Sequence, residues 1–313
     1  MRLRLGLIGA GYWGRNIVRA IRSSGIGFVE GVYDMIYDRS LELANTYGIR
    51  AYRDLEELLR EKNIDGIIVA VPADQLYSVA LRVIESKKHV FVEKPVAMKL
   101  DEVRDLKIKS ERHGVIVVPG FISRYDPVVR ELRNIISERG TPVYINIQRS
   151  GRRAERYRNI SIVLDLGIHD IDILLFLLGE EEIDVIKAEI VKIAGDEAYT
   201  ACLRYSRGFA ILHSDSIPLM KIRKILINFD EERLLEGDLI LSEIREVYRD
   251  RRTRVLNFQS FEEPLVAELK SFIKKINGEE TDSPTLVDAE RAHMIIDKIL
   301  KVSEKYDRGE QNI

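Results

Sequence analysis

Cysteine is nearly absent: Cys202 is the only one in 313 residues, so no intrachain disulfide can form. No apolar run approaches the ~20 residues that a membrane-spanning helix needs. Charge of one sign is not in excess either. The 49 Lys and Arg stand against 51 Asp and Glu, a formal net charge of -2. That balance gives no basis for a nucleic-acid partner or an acidic membrane surface. The N-terminus runs straight into a strand without a small-residue cleavage site, so no signal peptide is expected and the chain is placed in the cytoplasm. What is present is ordinary core material, 45% hydrophobic, beside a high 32% of charged residues. The length exceeds that at which one core keeps growing, which predicts two domains.

In the first half, strand and helix alternate. Residues 3–8 (LRLGLI) form a short apolar strand, and 12–23 carry helical spacing through Trp13, Ile17, Ala20 and Ile21. A second strand at 27–33 ends at Asp34, and a helix then closes at Gly48. The stretch "DGIIVAVP" (65–72) is apolar on both faces, as a buried parallel strand is. "HVFVEKP" (89–95) and "VIVVPG" (115–120) follow, with helices between. This order predicts a doubly wound parallel sheet of Rossmann type over residues 1–119. Gly9-x-Gly11-x-x-Gly14 sits between the first strand and its helix, where a dinucleotide fingerprint belongs. Gly9 permits the tight turn, Gly11 the approach of a pyrophosphate, and Gly14 the packing of helix on sheet. Asp34, twenty residues after Gly14, suits ribose hydroxyls and favours NAD. Arg39 is near enough to make NADP the alternative.

The second half, 120–313, changes to successive strands at 142–149, 183–193, 198–206, 209–217 and 221–229, with shorter ones to about 258. They predict an α+β domain with a large, mostly antiparallel sheet, helices on one face, and two closing helices near 263–276 and 286–304. One helix interrupts the strands, "IVLDLGIHDIDILLFLLG" at 162–179. Asp165, His169 and Asp172 fall on one face of it, and buried ionisable groups need partners or a task. An acid one turn before a histidine can orient the imidazole and raise its basicity. Asp172 is read as structural. No cysteine or second histidine stands close, so no metal is expected. His89, His113, His213 and His293 lack such company and are read as structural or exposed. "QRSGRRAERYRN" (148–159) packs five arginines immediately before the helix, and arginine suits phosphate. Arg152 and Arg153 are assigned to a solvated loop, and "YRDRRTRV" (248–255) to a solvated hairpin.

Glu93-Lys94-Pro95, Asp165-xxx-His169 and the N-terminal fingerprint, taken in order, resemble the Gfo/Idh/MocA family of glucose–fructose oxidoreductases and inositol dehydrogenases. The likeness also runs through "GFISRYDPVVREL" (120–132) and the closing helices. It implies NAD(P)-dependent oxidation or reduction of a sugar or cyclitol, with Lys94, Asp165 and His169 as the catalytic group and a cis Lys94–Pro95 bond. It implies cofactor contacts from Gly9, Gly11, Tyr12, Trp13, Gly14, Asp34, Arg39, Val71, Pro72, Glu93 and Lys94. Substrate contacts are implied for Lys94, Arg124, Arg156, Arg158, Asp165 and His169. The family often carries a histidine four residues after the proline that follows the fourth strand; here that position is Leu76. More finely, "RYRN…VLDLGIHDID" (156–172) resembles the UDP-N-acetylglucosamine 3-dehydrogenases of the family. The expected reaction is oxidation of a nucleotide-sugar 3-hydroxyl. A free-sugar or inositol dehydrogenase is the alternative, and a non-catalytic NAD-binding regulator is the alternative of another class. A sheet with one open face predicts a homodimer or homotetramer.

Overall fold

The computed structural model describes residues 3–193, 195–258 and 262–307. The first sheet is built from short strands, those at Gly66–Val69 and Val117–Gly120 buried on both faces. β1 (Arg4–Ile8), β2 (Phe28–Tyr33), β3 (Arg50–Tyr52), β4 (Gly66–Val69), β5 (His89–Glu93) and β6 (Val117–Gly120) form a sheet in the order β3-β2-β1-β4-β5-β6. All of its pairings are parallel. Parallel neighbours need crossovers, and α1 (Tyr12–Ser24), α2 (Tyr37–Tyr47), α3 (Leu55–Arg60), α4 (Ala73–Glu85) and α5 (Leu100–His113) supply them. The strand order reverses between β1 and β4, so the turns after these two strands flank a crevice. The glycine fingerprint is the turn after β1.

The second unit opens with α6 (Pro127–Arg139), whose N-cap Asp126 accepts from Val128 N–H. β7 (Tyr144–Ser150) leads into the central helix α7 (Ile168–Leu178). Then come β8 (Asp184–Ile193), β9 (Asp196–Tyr205), β10 (Gly208–Asp215), β11 (Ile222–Asn228), β12 (Arg233–Asp238), β13 (Glu243–Tyr248) and β14 (Thr253–Leu256). Their order is β14-β13-β12-β11-β7-β10-β9-β8. Every pair is antiparallel except β7 with β10, because α7 and two strands intervene between them. Alternation sorts the faces. Ile147, Leu203, Leu212, Ile227 and Leu235 are buried on one, where α6 lays Val128 and Leu132 over Gly237.

Two differences from the sequence reading have clear causes. The helix expected over 162–179 opens as a π-turn at Val163–Gly167 and becomes regular only at Ile168. At Gly167 a Cβ would lie 2.8 Å from the Tyr199 side chain, so this turn is pressed against β9. The chain also divides differently. One compact unit holds the residues up to Ile122 together with Glu262–Glu290; the other runs from Ser123 to the end of the sheet and resumes at Arg291. The division at 119/120 assigns α8 (Pro264–Ile276) to the second domain, yet its apolar face completes the first core. Phe272 meets Phe91 at 5.8 Å between ring centroids, with Leu265, Leu269 and Ile273 in the same cluster. A parallel sheet needs cover on both faces, and α8 supplies part of it. The last helix, α9, spans Leu286–Asp307. Among the described residues no helix is long and apolar enough to cross a membrane.

Candidate active site

Sterics explain two of the three fingerprint glycines. Gly9 has φ +104, and a Cβ there would lie 2.3 Å from the Ala70 carbonyl oxygen. A Cβ on Gly14 would lie 1.9 Å from the Gly9 oxygen, so α1 can seat itself on the turn only with glycine there. Gly11 is different: its Cβ direction meets no protein atom within 4 Å. α1 starts there with no side-chain cap and no acid in its first turn, leaving its positive end to an anion. That open cradle fits a dinucleotide pyrophosphate. Asp34 stands beside it, accepting from Ala10 N–H at 2.7 Å and Ile36 N–H at 2.8 Å. A carboxylate so fixed keeps lone pairs for ribose hydroxyls.

The other residues expected at the cofactor are placed as follows. Tyr12 is exposed, as is Arg39 early in α2. Val71 and Pro72 follow β4, and Pro72 is the N-cap of α4. Leu76 is buried in the core, so the position where the family often has histidine is packing here.

At the end of β5 the Lys94–Pro95 bond is cis. Glu93 links this turn to the fingerprint: its Oε1 accepts from the indole N–H of Trp13, and its Oε2 from Lys94 N–H at 3.3 Å. The residue is half-buried overall, but its carboxyl sits among enough protein that lost hydration pushes its pKa up to about 7. The indole and Lys94 act in the opposite direction. Sequence reasoning had one signal for this link: a tryptophan in a phosphate turn, whose N–H needs an acceptor once covered.

In the second unit, α7 and its π-turn hold three acids, each on an arginine from another element. Asp165 accepts from Arg153 Nε at 2.9 Å. Asp170 accepts from Arg149 Nε at 2.6 Å and from Ser214 Oγ at 2.7 Å. Asp172 takes Arg124 in a fork, with Nη2 at 2.6 Å and Nε at 2.9 Å. His169 is half-buried, with Nδ1 3.4 Å from Ser123 Oγ.

Three sequence assignments change here. Arg153 is not a solvated loop residue: its side chain is 4% exposed and pairs with Asp165 and Glu197. Arg124, expected on the substrate side, is 5% exposed and clamps Asp172, because a buried carboxylate needs such a partner. His213 does have company, set between Thr200 Oγ1 at 2.9 Å and Asp215 Oδ2 at 3.1 Å. Arg152 and Arg158 are exposed, and the side chain of Arg156 lies outside the described residues. The 248–255 stretch forms the exposed β13–β14 turn, with Arg252 on Asp250. Spacing showed that buried acids needed partners. It could not say which arginines arrive from other elements.

The Glu93 carboxyl yields a pH test. Between the ordinary glutamate value of 4.5 and about 7, the unfolded chain releases this proton while the folded chain keeps it. Stability must therefore fall as pH rises through that window, by roughly 3 kcal/mol from this group. Urea unfolding of wild type and Glu93→Gln from pH 4.5 to 7.5 should show this decline in wild type only. Parallel curves would place the Glu93 titration outside the window.

Comparison with known proteins fits these features. Residues 3–121 match the model of the oxidoreductase family, NAD-binding Rossmann fold. The chain is 26% identical to a myo-inositol 2-dehydrogenase of Thermotoga maritima over 94% of its length and 93% of that protein. It is 31% identical to a UDP-N-acetylglucosamine 3-dehydrogenase of Acidithiobacillus ferrooxidans, over 59% of this chain and 57% of that one. A solved structure of a UDP-N-acetylglucosamine 3-dehydrogenase from the same organism superposes with a TM-score of 0.88, at 24% identity, over 98% of this chain and 99% of that one. The glycine cradle with its fixed aspartate and the cis Glu-Lys-Pro turn both lie within residues 3–121, the segment that matches the NAD-binding Rossmann domain of the Gfo/Idh/MocA oxidoreductase family.

Proposed function

We propose that the protein oxidises a secondary hydroxyl of a sugar, the 3-hydroxyl of a nucleotide sugar such as UDP-N-acetylglucosamine. The observation that carries this reading is the arginine-dense loop that delivers the Asp165 turn, with Arg158 exposed on it. Guanidinium groups suit a diphosphate, and a free sugar or inositol has no use for them. The turn from Gly9 to Gly14 and Asp34 would hold NAD, which would supply the hydride acceptor. The chain's own task is then the hydroxyl proton. His169, with Nδ1 3.4 Å from Ser123 Oγ, is the base that accepts it. Asp165, fixed by Arg153, stabilises the charge the imidazole acquires, and Lys94 polarises the oxygen. Arg156 joins Arg158 on the diphosphate.

A panel of nucleotide sugars, free hexoses and inositols, followed by NADH absorbance, tests the reading. A nucleotide sugar should be oxidised fastest. Arg158→Ala should raise its KM about tenfold with little change in kcat, the mark of lost uniform binding. His169→Ala should lower kcat by about 10²-fold or more. Oxidation of inositol or free sugars alone would favour the cyclitol reading, in line with the inositol dehydrogenase relative. NAD binding without any turnover would indicate a regulator.

Asp34 governs the choice of cofactor, because its carboxylate repels a 2′-phosphate. Titration should show tighter binding of NAD than of NADP, and Asp34→Ser should narrow the gap. Equal or tighter NADP binding by the unaltered protein would count against this assignment.

Self-association through the open face of the large sheet completes the proposal. That face carries Tyr144 and Phe209 edge to face at 5.1 Å, with Ile211, Leu226 and Leu234 nearby in register. Phe209 alone is 45% exposed. A second copy of the same face would cover this apolar patch. Light scattering at micromolar concentration should report a dimer or tetramer, and Phe209→Lys should shift it towards monomer. A monomeric wild type would overturn the assignment.

A further inference from the structure

Arg153 makes more polar contacts than any single-purpose salt bridge requires. Its Nε donates to Asp165 Oδ2 at 2.9 Å and its Nη1 to Glu197 Oε2 at 3.0 Å. Its Nη2 donates to two carbonyls of its own loop, Tyr157 at 2.5 Å and Ile160. The loop therefore curls around the guanidinium while the same group grips the π-turn. Glu197 reinforces the grip by accepting from Ile162 N–H at 2.9 Å, just before that turn. Asp165 N–H in turn donates to the Ser161 carbonyl at 3.0 Å, so both ends of the loop reach the acid.

We propose that Arg153 is a positioning residue that joins the 152–161 loop to the Asp165 carboxylate, so that seating the loop and aiming the acid are one event. The planar fork explains why arginine stands here. Four acceptors lie around one guanidinium, and the three donors of a lysine, radiating from one nitrogen, cannot reach them all. Because Arg158 rides on the same loop, an anionic substrate bound there steadies the carbonyls that Arg153 holds and, through it, Asp165. The proposal rests on the catalytic role of Asp165 proposed above.

A double-mutant cycle tests it, run with the sugar the panel shows to be oxidised, at saturating NAD. Arg153→Lys keeps the charge and loses the fork. Alone, it should lower kcat about tenfold and raise KM several-fold, an effect carried through Asp165 and the loop respectively. In an Asp165→Asn background the same change should leave the residual kcat within about twofold, since the group it acted through is gone, while KM still rises. A residue that merely supports the fold would lower kcat by the same factor in both backgrounds, and that result overturns the proposal. So does an Arg153→Lys variant with wild-type kcat and KM. If Asp165→Asn keeps full kcat, or nothing in the panel is oxidised, the catalytic role of Asp165 fails first and the proposal falls with it. Thermal melts and NAD titration establish that each variant is folded. Should Arg153→Lys not melt cooperatively, Glu197→Gln weakens the same guanidinium from its other side. The cycle with Asp165→Asn is then read in the same way, coupling upholding the proposal and additivity overturning it.

Discussion

The helix that carries Asp165, His169, Asp170 and Asp172 is apolar enough to belong in a core, and it can be buried only because arginines neutralise its acids. Arg124, Arg149 and Arg153 arrive from the segment before α6, from β7 and from the loop after β7, and each meets a different carboxylate. Removing one partner of such a pair leaves an uncompensated buried charge, at a cost of about 3–5 kcal/mol. The three pairs therefore fix the rotation and depth of the helix within the second unit, and His169 is aimed by the same constraint. The π-turn belongs to this arrangement. It lets Gly167 press against Tyr199 while Asp165 turns to Arg153.

The first unit rests on a constraint of another kind, the exclusion of side chains. Carbonyl oxygens of Ala70 and Gly9 leave no volume for a Cβ at Gly9 or Gly14. Gly11, between them in sequence, meets no protein atom in its Cβ direction, so the cradle is open there. Glu93 extends the constraint to the Glu-Lys-Pro turn, since the carboxyl that accepts from Trp13 also accepts from the Lys94 amide. The phosphate turn and the backbone of the lysine turn are thus held by one side chain. Burial makes that side chain easy to protonate near neutrality, and the two hydrogen bonds of the link act against it.

The arginines of one short stretch divide between buried ion pairs and the surface. In residues 149–158, Arg149 and Arg153 are consumed by Asp170 and Asp165, while Arg152 and Arg158 face solvent. Arginine density taken as a whole overstates the charge offered to a ligand. Burial removes the paired members from that count, and the exposed ones remain for an anion.

By itself the sequence determined the local and periodic features. The alternation of strand and helix, the glycine turn, Asp34 at the end of β2 and the one buried helix with its acids were all legible, because each depends on neighbours within a few residues. Tertiary structure decided which partners those groups have. Arg153 reads as an exposed loop residue until the loop folds back on its guanidinium, and Arg124 as a substrate contact until Asp172 takes it. His213 reads as isolated until Thr200 of the neighbouring strand meets it, beside Asp215 of its own strand. The helix α8, far along the chain, packs on the first core and not with the strands that precede it. Most of these outcomes depend on contacts between residues a dozen or more positions apart. Burial makes a charge seek whichever partner the completed fold brings near, and sequence spacing carries no record of that distance.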